Sequence, residues 1–180
     1  MKQKKLVNIL IVIVASMLLL ILWFRGLDHL YAHTLKLGAN IALLFSPDTS
    51  VSVKEVEGAP AFIVQTVVDG RKGSYPQKAN LILLPFIMIL TWQILLFFNL
   101  PFRQAYRCAW QNILIFYIVQ VIYVVLLSAY YNSSTVKYVY DLLMDSFYII
   151  ALFLIVKDAF RYDLLRRGKG SHADIHQKTD

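Results

Sequence analysis

Cysteine is nearly missing from this chain: Cys108 is the single one in 180 residues. An intrachain disulfide is therefore excluded. Acidic residues are also sparse, 11 Asp and Glu against 18 Lys and Arg, giving a net charge of +7. The basic excess does not form a nucleic-acid stripe, because the Lys and Arg sit beside the ends of apolar runs. No H-E-x-x-H occurs, and no other motif fixes a chemistry. Material for a soluble domain is short as well. Between apolar runs only Gly26–Ala79 is available, near the size at which a lone domain is marginal.

What the chain has is hydrocarbon. It is 58% hydrophobic, with a mean hydropathy of +0.58. Four apolar runs, Leu6–Phe24, Leu81–Leu100, Ala109–Ala129 and Val136–Val156, fill most of it. Each is close to the ~20 residues that a helix needs to cross a ~30 Å hydrocarbon core. The expected fold is an all-α integral membrane protein with four transmembrane helices. The first run follows Lys2, Lys4 and Lys5 like a signal peptide, but it is too long for an h-region and Trp23-Phe24-Arg25 replaces a small-residue cleavage site. It is expected to stay as an anchor.

Orientation follows from the basic residues. Arg103 and Arg107 lie in a tight loop without an acid, and Lys157, Arg161, Arg166 and Arg167 follow the last run. The turn Tyr131–Thr135 carries no charge. These place both termini in the cytoplasm of a bacterial inner membrane. Gly26–Ala79 is then extracytoplasmic. Within it, Leu27, Leu30, Leu37, Ile41 and Leu44 approximate a helical stripe, so an interfacial helix is expected. Val51–Glu57 alternates and Ala61–Val68 is almost wholly apolar or β-branched; Glu57-Gly58-Ala59-Pro60 reads as the turn between them, and Asp69-Gly70 closes the second. A two-stranded hairpin is marginal in water, so it must lean on the helix, the membrane or a partner. The chain thus divides into an anchor (1–25), an outer helix and hairpin module (26–79), a three-helix bundle (80–165) and a polar, basic tail (166–180) expected to be disordered.

Polar residues in or near the spans are the candidate sites. Asp141 and Asp145 stand at i, i+4 in the last run. An acid at the depth of Asp145 should face the bundle interior or water and needs a partner. Gln93, Gln111, Gln120 and Tyr123 are the partner candidates, with Arg25 for the shallower Asp141. The pair serves either as an ion or proton relay or as interhelical glue and a contact to a partner helix; the scarcity of other charges favours the second. Arg25, His29 and His33 fall at i, i+4 and i+8, so on a continuous helix they share one face. His-x₃-His is a metal-ligand spacing, but without further ligands the expectation is two interfacial histidines and no metal. Cys108 at the inner edge and His172 and His176 in the tail carry no chemistry. Neither a cofactor nor a nucleic acid is expected. The expected contacts are the bilayer and either a membrane-protein partner or a second copy.

The anchor Leu6–Phe24, the outer strands Val51–Val68 and Asn80-Leu81-Ile82-Leu83-Leu84-Pro85 leading into the second span give a layout that resembles the small membrane proteins accompanying bacterial exosortases, of the exosortase H-associated type. The resemblance implies a non-catalytic accessory or scaffolding subunit in protein sorting or polysaccharide export. Exosortases themselves use Cys, Arg and His at the outer face, whereas Cys108 is expected on the inner side, away from His29 and His33. The alternative class is a small transporter or channel subunit using Asp141 and Asp145.

Overall fold

The computed structural model describes residues 2–46, 48–68 and 71–162. The expected tail 166–180 and the Asp69-Gly70 turn lie outside the described residues. The elements run α1 (Lys2–Leu22), α2 (Asp28–Ala42), β1 (Ser50–Val56), β2 (Ala59–Val68), β3 (Arg71–Lys78), α3 (Asn80–Leu83), α4 (Pro85–Asn99), α5 (Phe102–Leu126) and α6 (Ser134–Arg161). The chain is mostly helical, with one small antiparallel sheet.

Three helical stretches among the described residues are long and apolar enough to cross a membrane: Leu6–Ala42, Phe102–Ala129 and Ser134–Arg161. They fit a multi-pass membrane protein. The run expected as the second span differs. Pro85 has no N–H to donate, so the helix is interrupted at Leu84 and α4 retains 15 residues. That is about 22 Å at 1.5 Å per residue, against about 30 Å for the run counted from Asn80.

The first stretch is not one straight helix. A kink within Trp23–Leu27 joins α1 to α2, and there Gly26 has the non-helical φ of 117°, a backbone position that a side chain would strain. Here the chain bends. α1 packs chiefly on α4, whereas α2 packs on α5 and on the sheet. The apolar stripe anticipated for α2 is present but faces outward: Leu30, Leu37, Ile41 and Leu44 are exposed. A second face, Tyr31, Ala32, Leu35, Ala39 and Leu43, is the one buried in protein. Gly38 allows the close approach to α5, since a Cβ there would collide with the Tyr117 hydroxyl and meet Val121 Cγ2 at 2.8 Å.

The expected hairpin is the first two strands of a three-stranded sheet ordered β1-β2-β3. The turn is tighter than the sequence suggested. Val56 pairs with Ala59, leaving a two-residue loop, Glu57-Gly58, with φ of 55° and 76°. Positive φ at both loop positions matches the right-handed twist of a hairpin. On β2, Ala61, Phe62, Ile63 and Val64 are all buried, so both faces are covered over the apolar part of the strand, while Gln65 beyond it is exposed. Val51 opposite Val64 and Val53 opposite Phe62 form cross-strand pairs beneath α2. One core cluster links Trp23, α2, the sheet, α4, α5 and α6. The 26–79 module and the bundle therefore share an interior.

At the end of the bundle where α5 turns into α6, β2 lies against the turn, and Asn132 Nδ2 donates to the Val67 carbonyl at 3.1 Å. Arg103, Arg107 and the end of α6 occupy the opposite end.

Candidate functional site

α6 carries two acids that matter, and they meet opposite fates. One stripe of this helix, Tyr140, Phe147, Ala151, Leu154 and Asp158, is buried at the spacing of one helical face. Asp158 is wholly buried. Its Oδ2 accepts from Asn112 Nδ2 at 2.5 Å and from Trp92 Nε1 at 3.2 Å. Its Oδ1 faces the Lys157 ammonium at 3.4 Å without a hydrogen bond. Lys157 Nζ also donates to Asn112 Oδ1 at 2.8 Å. One carboxylate thus draws α4, α5 and α6 together, with a cation and two N–H donors offsetting the cost of burying the charge.

Sequence reasoning missed Asp158, which lies just past the last apolar run beside Lys157 and Arg161. A signal existed: Asp158 continues the period of Phe147, Ala151 and Leu154. Its partners on α4 and α5, distant in sequence, gave none.

Asp145 is the reverse. It was expected to face either the bundle interior or water, and the structure places it on the exposed side of α6. Phe147 and Tyr140 occupy the inward face instead, through aromatic packing with Phe116 and Tyr123. No described residue hydrogen-bonds to Asp145 or pairs with it. Asp141 is half-buried, within electrostatic reach of Tyr123 and Tyr140. Within one copy Asp145 lies outside any interior path that Asp141 could line.

The partners proposed for these acids are engaged elsewhere or stand apart. Gln120 is buried and accepts from the Tyr31 hydroxyl at 2.5 Å, while its Nε2 donates to the Ile82 carbonyl at 2.5 Å. Its role is to tie α2 and α3 to α5. Gln93 is buried, and neither end of its carboxamide has a partner among the described residues. Tyr123 stacks on Tyr140, with ring centroids 4.2 Å apart.

The Arg25, His29 and His33 face is broken. Arg25 precedes the Gly26 bend and the two histidines follow it, so the three do not lie on one continuous helix. Arg25 and His33 are exposed and His29 is half-buried. Among the described residues no group of three or more His, Cys, Asp or Glu is placed to hold a metal.

Two apolar grooves flank α1. One, about 390 Å³, runs past Ser16, Thr91 and Trp92 to Tyr148 on α6; the other, about 490 Å³, lies between α1 and Phe98. Between them α1 is seated chiefly on α4. The chain matches no protein-family model, no curated protein and no solved structure.

Proposed function

We propose that this chain is a non-catalytic accessory or scaffolding subunit of a bacterial inner-membrane assembly. In this reading α1, α4, α5 and α6 are the four spans, with α3 extending α4 to bilayer thickness. Both termini are cytoplasmic, and the sheet is extracytoplasmic. The segregation of the sheet and the α5–α6 turn to one end, and of Arg103 and Arg107 to the other, supports that orientation. Exosortase-linked sorting or polysaccharide export is the system that the layout suggests.

The observation that carries the proposal is Asp145. An acid on the outward face of a spanning helix is costly in lipid and ordinarily marks a surface that another protein completes. The same helix shows how this fold treats an acid that it keeps for itself, in the bonded setting of Asp158.

The test is extraction from native membranes in mild detergent, followed by native mass measurement. A stoichiometric complex with a second membrane protein is expected. A monomer, or a complex holding only copies of this chain, would sink the reading.

A further inference from the structure

α2 does not run alongside the helix on which it packs. Its Tyr31 hydroxyl donates to Gln120, its Thr34 carbonyl accepts from the Tyr117 hydroxyl, and Gly38 lies against Tyr117 and Val121. Seven residues along α2 thus meet a single turn of α5, Tyr117–Val121. Helices lying side by side advance together, so α2 crosses α5 steeply. α1 is the contrast: Asn8 meets Asn99 and Ser16 meets Thr91, so eight residues of α1 keep pace with eight of α4. The Gly26 bend therefore turns the chain from along the bundle to across it.

The crossing lies within a stretch long and apolar enough to span. Tyr117–Val121 falls five to nine residues short of the end of α5 at Leu126, about 8–14 Å at 1.5 Å per residue. The same level is that of Ile82 and Phe86, at the start of the second apolar run: Gln120 donates to the Ile82 carbonyl, and Tyr31 stacks on Phe86.

The surface of α2 is sorted to match this depth. His29, His33, Lys36 and Asn40 follow one another at spacings of four, three and four, and so share one edge. Asn40 bonds both backbone groups of Val51, which turns that polar edge toward the sheet. Opposite the buried face, Leu30, Leu37, Ile41 and Leu44 stand exposed, followed by Phe45 just past the helix; Leu37 is 64% exposed and Phe45 96%. A helix held across the bundle below the end of a span, polar edge to the sheet and apolar edge sideways, has the arrangement of one lying in the plane of a membrane interface.

We infer that α2 is an in-plane helix embedded in the leaflet on the sheet's side, and that phospholipid acyl chains cover its Leu30–Phe45 edge. The inference rests on the four-span reading and is independent of any partner subunit. Lipid is the occupant because of depth and continuity: α2 follows the apolar run of α1 after one kink and lies at the level of the spans.

Fluorescence quenching of the full chain in phosphatidylcholine proteoliposomes tests this. In a Cys108→Ala background, a single cysteine carrying an environment-sensitive label replaces Leu30, Leu37 or Leu44, all exposed. Leu18 in α1 is the reference for lipid and Lys54 in β1 the reference for water. Should Cys108→Ala fail to fold, the same labels are placed in the natural background, where Cys108 is buried. The quenchers are lipids brominated at shallow or deep acyl positions, and aqueous iodide. The three α2 labels should be quenched by the shallow bromolipid, shielded from iodide, and equal in depth to within about 10 Å, the width of a helix. A helix continuing across the bilayer would instead separate Leu30 from Leu44 by about 21 Å at 1.5 Å per residue. That separation overturns the inference. Quenching by iodide without bromolipid overturns it in favour of water. Protection from both overturns it in favour of a protein cover, a second copy or another chain. In each of these cases a Leu18 label quenched by bromolipid leaves the four-span reading in place. A Leu18 label that bromolipid does not quench removes that reading and the inference together.

Discussion

The Asn40 carboxamide satisfies both backbone groups of Val51: its Nδ2 donates to the Val51 carbonyl at 2.9 Å, and its Oδ1 accepts from the Val51 N–H at 2.9 Å. A side chain of α2 thereby stands where the next strand of the sheet would be. It covers part of the open edge of β1 and fixes the sheet to the helix. Asn40→Ala should cost about 1–3 kcal/mol, the range expected when a pair of partly buried hydrogen bonds is lost. Amide exchange checks this locally: the Val51 N–H should lose protection, while the α5 amides keep theirs.

Asp158 and Asp145, two of the three acids of α6, predict opposite outcomes for two substitutions. Asn112→Leu removes the best donor to a wholly buried carboxylate and leaves Lys157 without its amide acceptor. A loss of about 3–5 kcal/mol is expected, as for breaking a buried ionic network from one side. Asp145→Leu should leave the isolated protein's thermal midpoint in detergent unchanged or raised. Equal effects of the two changes would contradict the burial assigned to these residues.

Gly38 predicts a coupled pair. In Gly38→Val the added carbons press on the Tyr117 ring end and on Val121, and α2 is forced off α5. The cost should be about 1–3 kcal/mol, typical of overpacking at a tight contact. Tyr117→Ala removes the main obstacle, together with a hydrogen bond to the Thr34 carbonyl. The double variant should therefore be less damaged than the two single losses added together, read as a coupling in thermal or denaturant unfolding.

Glu57, in the β1–β2 loop and away from the long apolar helices, gives a pH prediction. Its carboxylate accepts from Lys78 Nζ at 2.5 Å, and that hydrogen bond, followed by the lysine's charge, holds the carboxyl below the usual range. A folded-state pKa that is depressed contributes stability above the unfolded pKa and loses it as pH falls through the folded value. Both side chains are well exposed, so the contribution is small and screened by salt. Carboxyl chemical shifts should show Glu57 titrating below an ordinary glutamate, and returning to the ordinary range in Lys78→Gln. The backbone at Glu57 points the other way: its φ of 55° suits Asn better than Glu, so Glu57→Asn should raise sheet stability despite the lost ion pair.

How much could be read from residues alone depended on the scale of the signal. Apolar runs of about 20 residues identify helices whatever surrounds them, and the runs that became α1, α5 and α6 were legible for that reason. The alternation of Val51, Val53 and the run after Gly58 marked two strands. β3 was illegible because Arg71–Lys78 has no apolar alternation and carries Gly73 and Pro76, which an edge strand tolerates and a central one does not. The break at Pro85 was legible in principle, since proline ends the donor ladder, but the hydropathy of the run masked it. Asp158 was missed, and the side taken by Asp145 left open, for a deeper reason. Which side of an apolar helix faces its neighbours is decided by the neighbours. Phe116, Tyr123 and Asn112 turn α6 so that Asp158 lies inward and Asp145 outward.

The seating of α1 on α4 bears on how the protein is made. α1 is synthesised roughly sixty residues ahead of α4, about 3–12 s at 5–20 residues per second. Through that interval α4, the helix on which it chiefly packs, is not yet made. Its composition suits the wait. Leu6, Leu10, Met17 and Leu18 still face outward in the finished protein, and the polar side chains Asn8 and Ser16 are the ones that later meet Asn99 and Thr91. The helix is thus complete before its neighbour exists and is fastened afterwards, at two points one above the other, when the third quarter of the chain arrives.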